Sequence, residues 1–283
     1  MSRLQKLQEE YGSVDCRDLC SRQLEQFRNG LKGIAPDEVS SAEEGKSYIE
    51  LLKKFREAIA ENDKLHGSNY LERINSILRV GGLYSNSLHF LFDLIQNIDD
   101  CEFESHDDCK LDMRFDFNEQ KIILTYNETG FTTFNVFAIT DIGITGIVEA
   151  VKNILLAKHQ IGEKGIGFKS VFGVSDKVLI RSGWFSFELY KDNFTIPIPY
   201  YENQEYCHGT QMTLFVARGN GGAKYIYDEV KKQYCDEEAL FSKNPLLFLN
   251  KLTSLKMYFD ECKCMEFHVS RFVKQGPNSA QEY

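Results

Sequence analysis

Over the first 80 residues, apolar positions recur at spacings of three and four. Leu4, Leu7 and Tyr11 predict one helix face, and Leu19, Leu24 and Phe27 a second. Tyr48, Leu51, Leu52, Phe55 and Ile59 predict a long amphipathic third, and Leu71, Ile74, Ile77 and Leu78 another. The stretch from Gly30 to Gly45 carries Gly, Pro, Asp and Ser and reads as a loop. This region is rich in Lys and Glu, and no chemistry is read in it. It is expected to be an all-helical extension, residues 1–80, packed on a main domain of residues 81–283.

Beyond residue 82 the pattern changes. Leu88 to Ile98 is a strongly apolar helix with polar residues set into it at intervals. Alternation over Leu111–Phe117 and Lys121–Tyr126 predicts two strands, joined as a hairpin through Asn118 and Glu119. Phe134–Ile139 reads as a short helix, and Gly165–Phe172 opens another. Val178–Arg181, Trp184–Tyr190, Phe194–Ile198 and Gln211–Val216 read as strands, followed by a helix over Ala223–Tyr234 and final strands at Leu255–Phe259 and Met265–Val269. Helices bracketing hairpin-joined strands predict an α+β fold in two layers.

Composition narrows the function classes. Of the 283 residues, 42% are apolar, and 21 Phe with 14 Tyr argue for a packed core rather than a disordered chain. A net charge of −9 gives no basic footprint, so a nucleic-acid partner is not indicated by the charge, although a local basic patch is compatible with it. No run of 18 apolar residues occurs, so no membrane span is expected. The start, MSRLQKLQEEYGSVD, has no apolar signal core, and the 8 cysteines form no CxxC pair. Reduced thiols and a cytoplasmic location are expected, or a nuclear one if the organism is eukaryotic.

Three segments hold candidate chemistry. Asp93 and Asn97 stand four apart on the apolar helix and so share a face, a carboxylate beside an amide suited to water activation and Mg²⁺ coordination. Asn127-Glu128-Thr129-Gly130-Phe131 follows a strand and by itself reads as a turn. Gly162-Glu163-Lys164-Gly165-Ile166-Gly167-Phe168-Lys169-Ser170 runs three glycines into a predicted helix, where backbone amides are placed to meet phosphate oxygens. It is neither the dinucleotide fingerprint nor a P-loop.

In this order the segments resemble the motifs of the GHKL ATPases, which include gyrase, histidine kinases, the ninety-kilodalton heat-shock chaperones and mismatch-repair ATPases. The likeness is closest to the sacsin-type and No Vein-type branch. Leu83 to Asp100 resembles that branch's first motif, Asn127 to Phe131 a shortened second, Ile161 to Phe172 the third, and Gly209-Thr210 the fourth. Leu246 to Met257 resembles the strand region that ends the module. The resemblance spans roughly residues 83–260 and implies a Bergerat α/β sandwich: a mixed, mostly antiparallel sheet with helices on one face and ATP between.

The resemblance also implies roles. Asn97 would hold Mg²⁺, with Asp100 close to the nucleotide on the same motif. Asp93 stands where the family usually has the glutamate that polarises the attacking water. Asn127 or Glu128 would accept from the adenine amine, with Gly130 and Phe131 beside the base and Thr210 supporting that contact. Gly162, Lys164, Gly165, Ile166, Gly167 and Phe168 would wrap the phosphates, and residues 143–161 would be a lid. Two departures stand out. Aspartate at 93 sets the carboxylate back by about 1.5 Å, and the lid lacks the usual Ser-Thr-Lys after its glycine. The reading is therefore an ATP-binding, Mg²⁺-dependent, slow ATPase switch. It is expected to work on a protein partner or its own C-terminal region, or as a nucleotide-dependent homodimer, within a larger protein or complex. The alternative is a non-hydrolysing sensing or scaffold module. A kinase reading lacks a recognisable acceptor histidine motif.

Overall fold

The computed structural model describes residues 1–15, 18–65, 88–141, 168–202, 205–217, 222–235, 245–259 and 262–270. The predicted helix around Leu71 to Leu78 lies outside them, as do the predicted lid and the glycine segment up to Gly167. The fold is α+β, with a mixed eight-stranded sheet and an N-terminal helical region. No helix among the described residues is long and apolar enough to cross a membrane.

Three helices come first: α1 (Arg3–Tyr11), α2 (Ser21–Lys32) and α3 (Ala42–Leu65). Ser2 starts α1 with a capping box. Its hydroxyl accepts from the Gln5 amide, and the Gln5 side chain accepts from the Ser2 amide. The predicted loop from Gly30 is shorter than expected, because α2 runs to Lys32 and Pro36–Glu38 forms a 3₁₀ turn. Leu31 and Ile34, both buried, pull this stretch onto the core. Tyr11 stacks on Phe27 at 4.0 Å, and Phe27 meets Phe55 edge-on at 5.6 Å, so the three helices close over one aromatic cluster.

The later elements are α4 (His89–Asp99), β1 (Lys110–Asp116), β2 (Lys121–Tyr126), α5 (Thr133–Ile139), β3 (Ser175–Gly183), β4 (Phe185–Tyr190), β5 (Asn193–Pro199), β6 (Cys207–Val216), α6 (Gly222–Cys235), β7 (Ser254–Phe259) and β8 (Cys262–His268). The sheet order is β5-β4-β3-β6-β2-β1-β7-β8, and every pairing is antiparallel except β1 with β7. Alternation explains the layering. Leu111, Met113 and Phe115 of β1 are buried while Lys110, Asp112 and Arg114 are exposed. Ile122, Leu124 and Tyr126 of β2 and Val178 and Ile180 of β3 continue the buried face. Helices cover it, with Tyr227 of α6 on Phe115 at 5.4 Å. On the other face, Lys177 pairs with Glu188 at 2.8 Å and lies over Phe215, and Lys256 pairs with Glu266 at 3.1 Å.

The predicted helix opening at Gly165 is, in its described part, a 3₁₀ segment, Phe168–Gly173, packed against α4. Phe168, Val171 and Phe172 must all be buried here, and the tighter helix delivers them before Gly173 leads into β3. The N-terminal region shares one continuous core with the sheet. α3 covers edge strand β5, the Tyr48 hydroxyl donates to the Thr133 carbonyl at 2.9 Å, and the Thr133 hydroxyl donates to the Ile34 carbonyl at 2.8 Å.

Candidate functional site

One end of the site is built where β2 and β3 finish beside the start of β6. The alternation that buries Leu124 and Tyr126 carries on one step past β2, so Glu128 turns inward and is 7% exposed. The Thr210 hydroxyl of β6 donates to the Glu128 carboxylate and also contacts the Ser182 hydroxyl of β3. Ser182 in turn accepts from the Phe131 amide at 2.7 Å, and this fixes the chain just after Gly130. Burial pushes the Glu128 carboxyl above the usual carboxylate range, against the pull of hydrogen bonds from Thr210 and Cys101. The phenol of Tyr126 and the thiol of Cys101 are pushed up by the same burial.

The Gly209-Thr210 pair has a steric reason. Gly209 has φ +74°, and a Cβ there would lie 2.2 Å from the Tyr126 carbonyl oxygen. Only glycine lets β6 cross β2 this closely and present Thr210 to Glu128. Asn127, by contrast, points outward. Its Oδ1 accepts from the Lys110 amide at 2.7 Å and its Nδ2 donates to the Asp108 carbonyl at 2.6 Å, so it fastens the start of β1.

The other end is the polar flank of α4. Phe90, Leu91, Leu94, Ile95 and Ile98 are buried, while Asp93, Asn97 and Asp100, spaced by four and three, share a half-buried face. Asp100 Oδ2 is buried with no hydrogen-bond partner among the described residues. Burial and the neighbouring Asp99 charge raise the Asp100 carboxyl, against the pull of Lys251. An orphaned carboxylate oxygen on the face that carries the Asn97 amide is a hard oxygen donor of the kind Mg²⁺ or its bound water takes, so these residues fit the metal. The Cys101 thiol donates to the Asn97 carbonyl at 3.4 Å and lies beside the Glu128 carboxyl, so the two ends adjoin.

Phe168 is buried against the core beside α4. Gly162, Lys164, Gly165, Ile166 and Gly167 lie outside the described residues. Several participants were not picked out from the sequence. Ser182 gave no signal, being one polar residue at a strand end. Lys169 follows the glycine motif directly, yet it is 2% exposed and donates to the Asp141 carbonyl. Arg56 occupies an apolar-stripe position on α3, four residues after buried Leu52 and seven after buried Ile49, and an arginine there is the signal that was available. It donates to the Phe137 carbonyl at 2.9 Å and to Thr140, and lies 3.6 Å from the Asp141 carboxylate.

No family model matches the chain. Over 106 residues, 38% of its length, it is 39% identical to the No Vein protein of Arabidopsis thaliana. In an alignment of 194 positions that covers 58% of its length, it is 27% identical to the chaperone protein HtpG of Photorhabdus laumondii subsp. laumondii. The matched regions span 4% and 30% of those two proteins. The chain is thus distantly similar to a chaperone over more than half its length, and more closely similar to part of a much longer plant protein.

Proposed function

We infer that the chain is a GHKL-type, ATP-binding module. Residues 1–80 form its helical extension and residues 81–283 its nucleotide-binding domain. It hydrolyses ATP slowly with Mg²⁺ and uses the nucleotide to switch how it meets a protein partner, its own C-terminal region or a second copy. The observation that carries this reading is the linked pair of polar ends: Glu128 with Thr210 for an adenine amine, and Asn97 with Asp100 for the metal. Asn97 would hold Mg²⁺, which supplies charge neutralisation on the phosphates. Asp93 would orient the attacking water. The similarity to HtpG supports a chaperone-like role, and that to No Vein supports a place within a longer chain.

A second reading follows from aspartate at 93. Set back by one methylene, its carboxylate is poorly placed for the water, and a misplacement of about 1 Å costs roughly 100-fold in rate. A module that binds and senses nucleotide without turnover is the outcome if that loss is complete. Calorimetry with ATP and Mg²⁺, followed by phosphate release, tests both. Binding is expected, Asn97→Ala should weaken its metal-dependent part, and Asp93→Asn should abolish turnover while leaving affinity nearly intact. No heat and no thermal shift at millimolar nucleotide would remove the nucleotide-binding reading. Binding without any turnover would establish the second.

A further inference from the structure

Asp99 lies on α4 between the two candidate ligand residues Asn97 and Asp100, yet it faces away from both. It is 2% exposed. Its carboxylate accepts three consecutive backbone amides from a turn about 150 residues later: Asn250 at 2.7 Å, Lys251 at 2.8 Å and Leu252 at 2.7 Å. The Lys251 ammonium returns the grip, donating to the carbonyls of Asp100, at 3.1 Å, and Cys101. The last turn of α4 is therefore held from both sides, with a carboxylate answering amides and a cation answering the carbonyl end of the helix. Two residues beyond Leu252 the chain enters β7, the sheet's one parallel neighbour of β1.

We propose that Asp99 is a positioning residue: it clamps the turn at 250–252 to α4 and thereby sets where Asn97 and Asp100 stand relative to the metal. The clamp makes the β7–β8 hairpin the part of the molecule whose movement the metal end registers. The proposal rests on the nucleotide reading above. The geometry supplies the link. Asn97, Asp100 and Cys101 all lie within two residues of Asp99, and the Cys101 thiol donates to the Asn97 carbonyl. A helix end released from the turn shifts these groups together. Neighbours that orient a metal ligand typically affect metal affinity by 10–100-fold.

The test compares Asp99→Asn and Lys251→Met with the wild-type chain. Nucleotide affinity is measured with and without Mg²⁺, and amide exchange is followed in the nucleotide-free state. Asp99→Asn keeps the shape but turns a donor toward donors. It should cut the Mg²⁺-dependent gain in ATP affinity roughly tenfold while leaving Mg²⁺-free affinity within about twofold. Exchange should speed up over 97–101 and stay unchanged over 122–126. Lys251→Met, which keeps all three amide bonds, should show the same pattern more weakly. Faster exchange over 97–101 with wild-type Mg²⁺ dependence would reduce Asp99 to a structural fastening and overturn the proposal. If Asp99→Asn does not fold, Lys251→Met decides alone by the same readings. A wild-type chain that binds no nucleotide overturns the nucleotide reading itself, and this proposal with it.

Discussion

At the proposed base end, Glu128 is buried among neutral donors: the Thr210 hydroxyl, the Cys101 thiol and a backbone amide. Where α5 ends, the situation is reversed. Lys169 and Arg56 are buried around Asp141, and the same carboxylate also acts on Arg28 and Lys32. Each arrangement leaves a charge only partly compensated, with opposite sign. Neutral donors do not cancel the cost of dehydrating Glu128, so its carboxyl is raised. Burial brings Lys169 down to about 8, with the attraction of Asp141 working against the repulsion of Arg56. The first arrangement leaves an acceptor available for a donor on a ligand. The second spends its charges on protein carbonyls, Phe137 O and Asp141 O, and so anchors the end of α5 to α3 on one side and to the 3₁₀ segment Phe168–Gly173 on the other.

The largest expected effect tests whether the base end depends on the close crossing of β2 and β6. Gly209→Ala meets both a left-handed φ and a Cβ contact of 2.2 Å with backbone. It should cost about 4 kcal/mol in denaturant unfolding. Gly130→Ala faces a φ of +94° but no atom nearer than 3.7 Å, and should cost about 1 kcal/mol. Equal costs at the two positions would show that φ alone matters, and the close approach would lose its role in placing Thr210.

The next effect sharpens the cationic side. The folded-state value for Lys169, about 8, lies below the ordinary 10.5. The unfolded chain therefore binds the proton more tightly between these values, and stability is present above the upper one and lost as pH falls through about 8. Wild-type unfolding free energy should rise between pH 8 and 10 by about 2 kcal/mol. Above that range Tyr48 and Tyr126, raised by burial, pull it down again. Lys169→Met keeps the packing and should flatten the rise. A slope unchanged in the variant would assign the titration to another group.

These two ends also show what was legible in the sequence and what was not. Strands β1 and β2 were readable to within about a residue, because one face of the sheet is buried and the other wet, so each side chain's polarity reports its side. The apolar flank of α4 was readable for the same reason, and with it the shared face of Asp93 and Asn97. The partners of these elements were not readable. Nothing in Lys169 or Arg56 announces that they meet at Asp141, because their contacts join residues about 28 to 85 apart in the chain. The parallel pairing of β1 with β7, and the amides of 250–252 on Asp99, are likewise fixed only by the assembled sheet. The choice between Asn127 and Glu128 falls between these cases. The period-two pattern of β2 had only to be extended by one step.

That choice gives the smallest effect and the finest comparison. Asn127 is exposed and makes two hydrogen bonds, to Lys110 N and Asp108 O. Asn127→Ala should cost about 1 kcal/mol and leave ATP affinity unchanged, because the lost bonds hold β1 rather than the pocket. Glu128→Gln changes little in shape but replaces an acceptor oxygen facing Thr210 with an amide. Its consequence for stability follows from the raised carboxyl. The contribution of Glu128 is fully present below the ordinary value of 4.5 and is lost as pH rises through the higher folded-state value. Wild-type stability should therefore decline on going up from pH 4.5, and Glu128→Gln should remove that decline. The same substitution should weaken ATP binding, since the neutral amide oxygen left by the exchange is a weaker acceptor for the adenine amine than a carboxylate oxygen, and should weaken a purine nucleotide lacking that amine much less. Loss of ATP affinity in Asn127→Ala, with Glu128→Gln unaffected, would move the base contact to the outer residue. The buried trio of Glu128, Thr210 and Ser182 would then be a strand-end fastening alone.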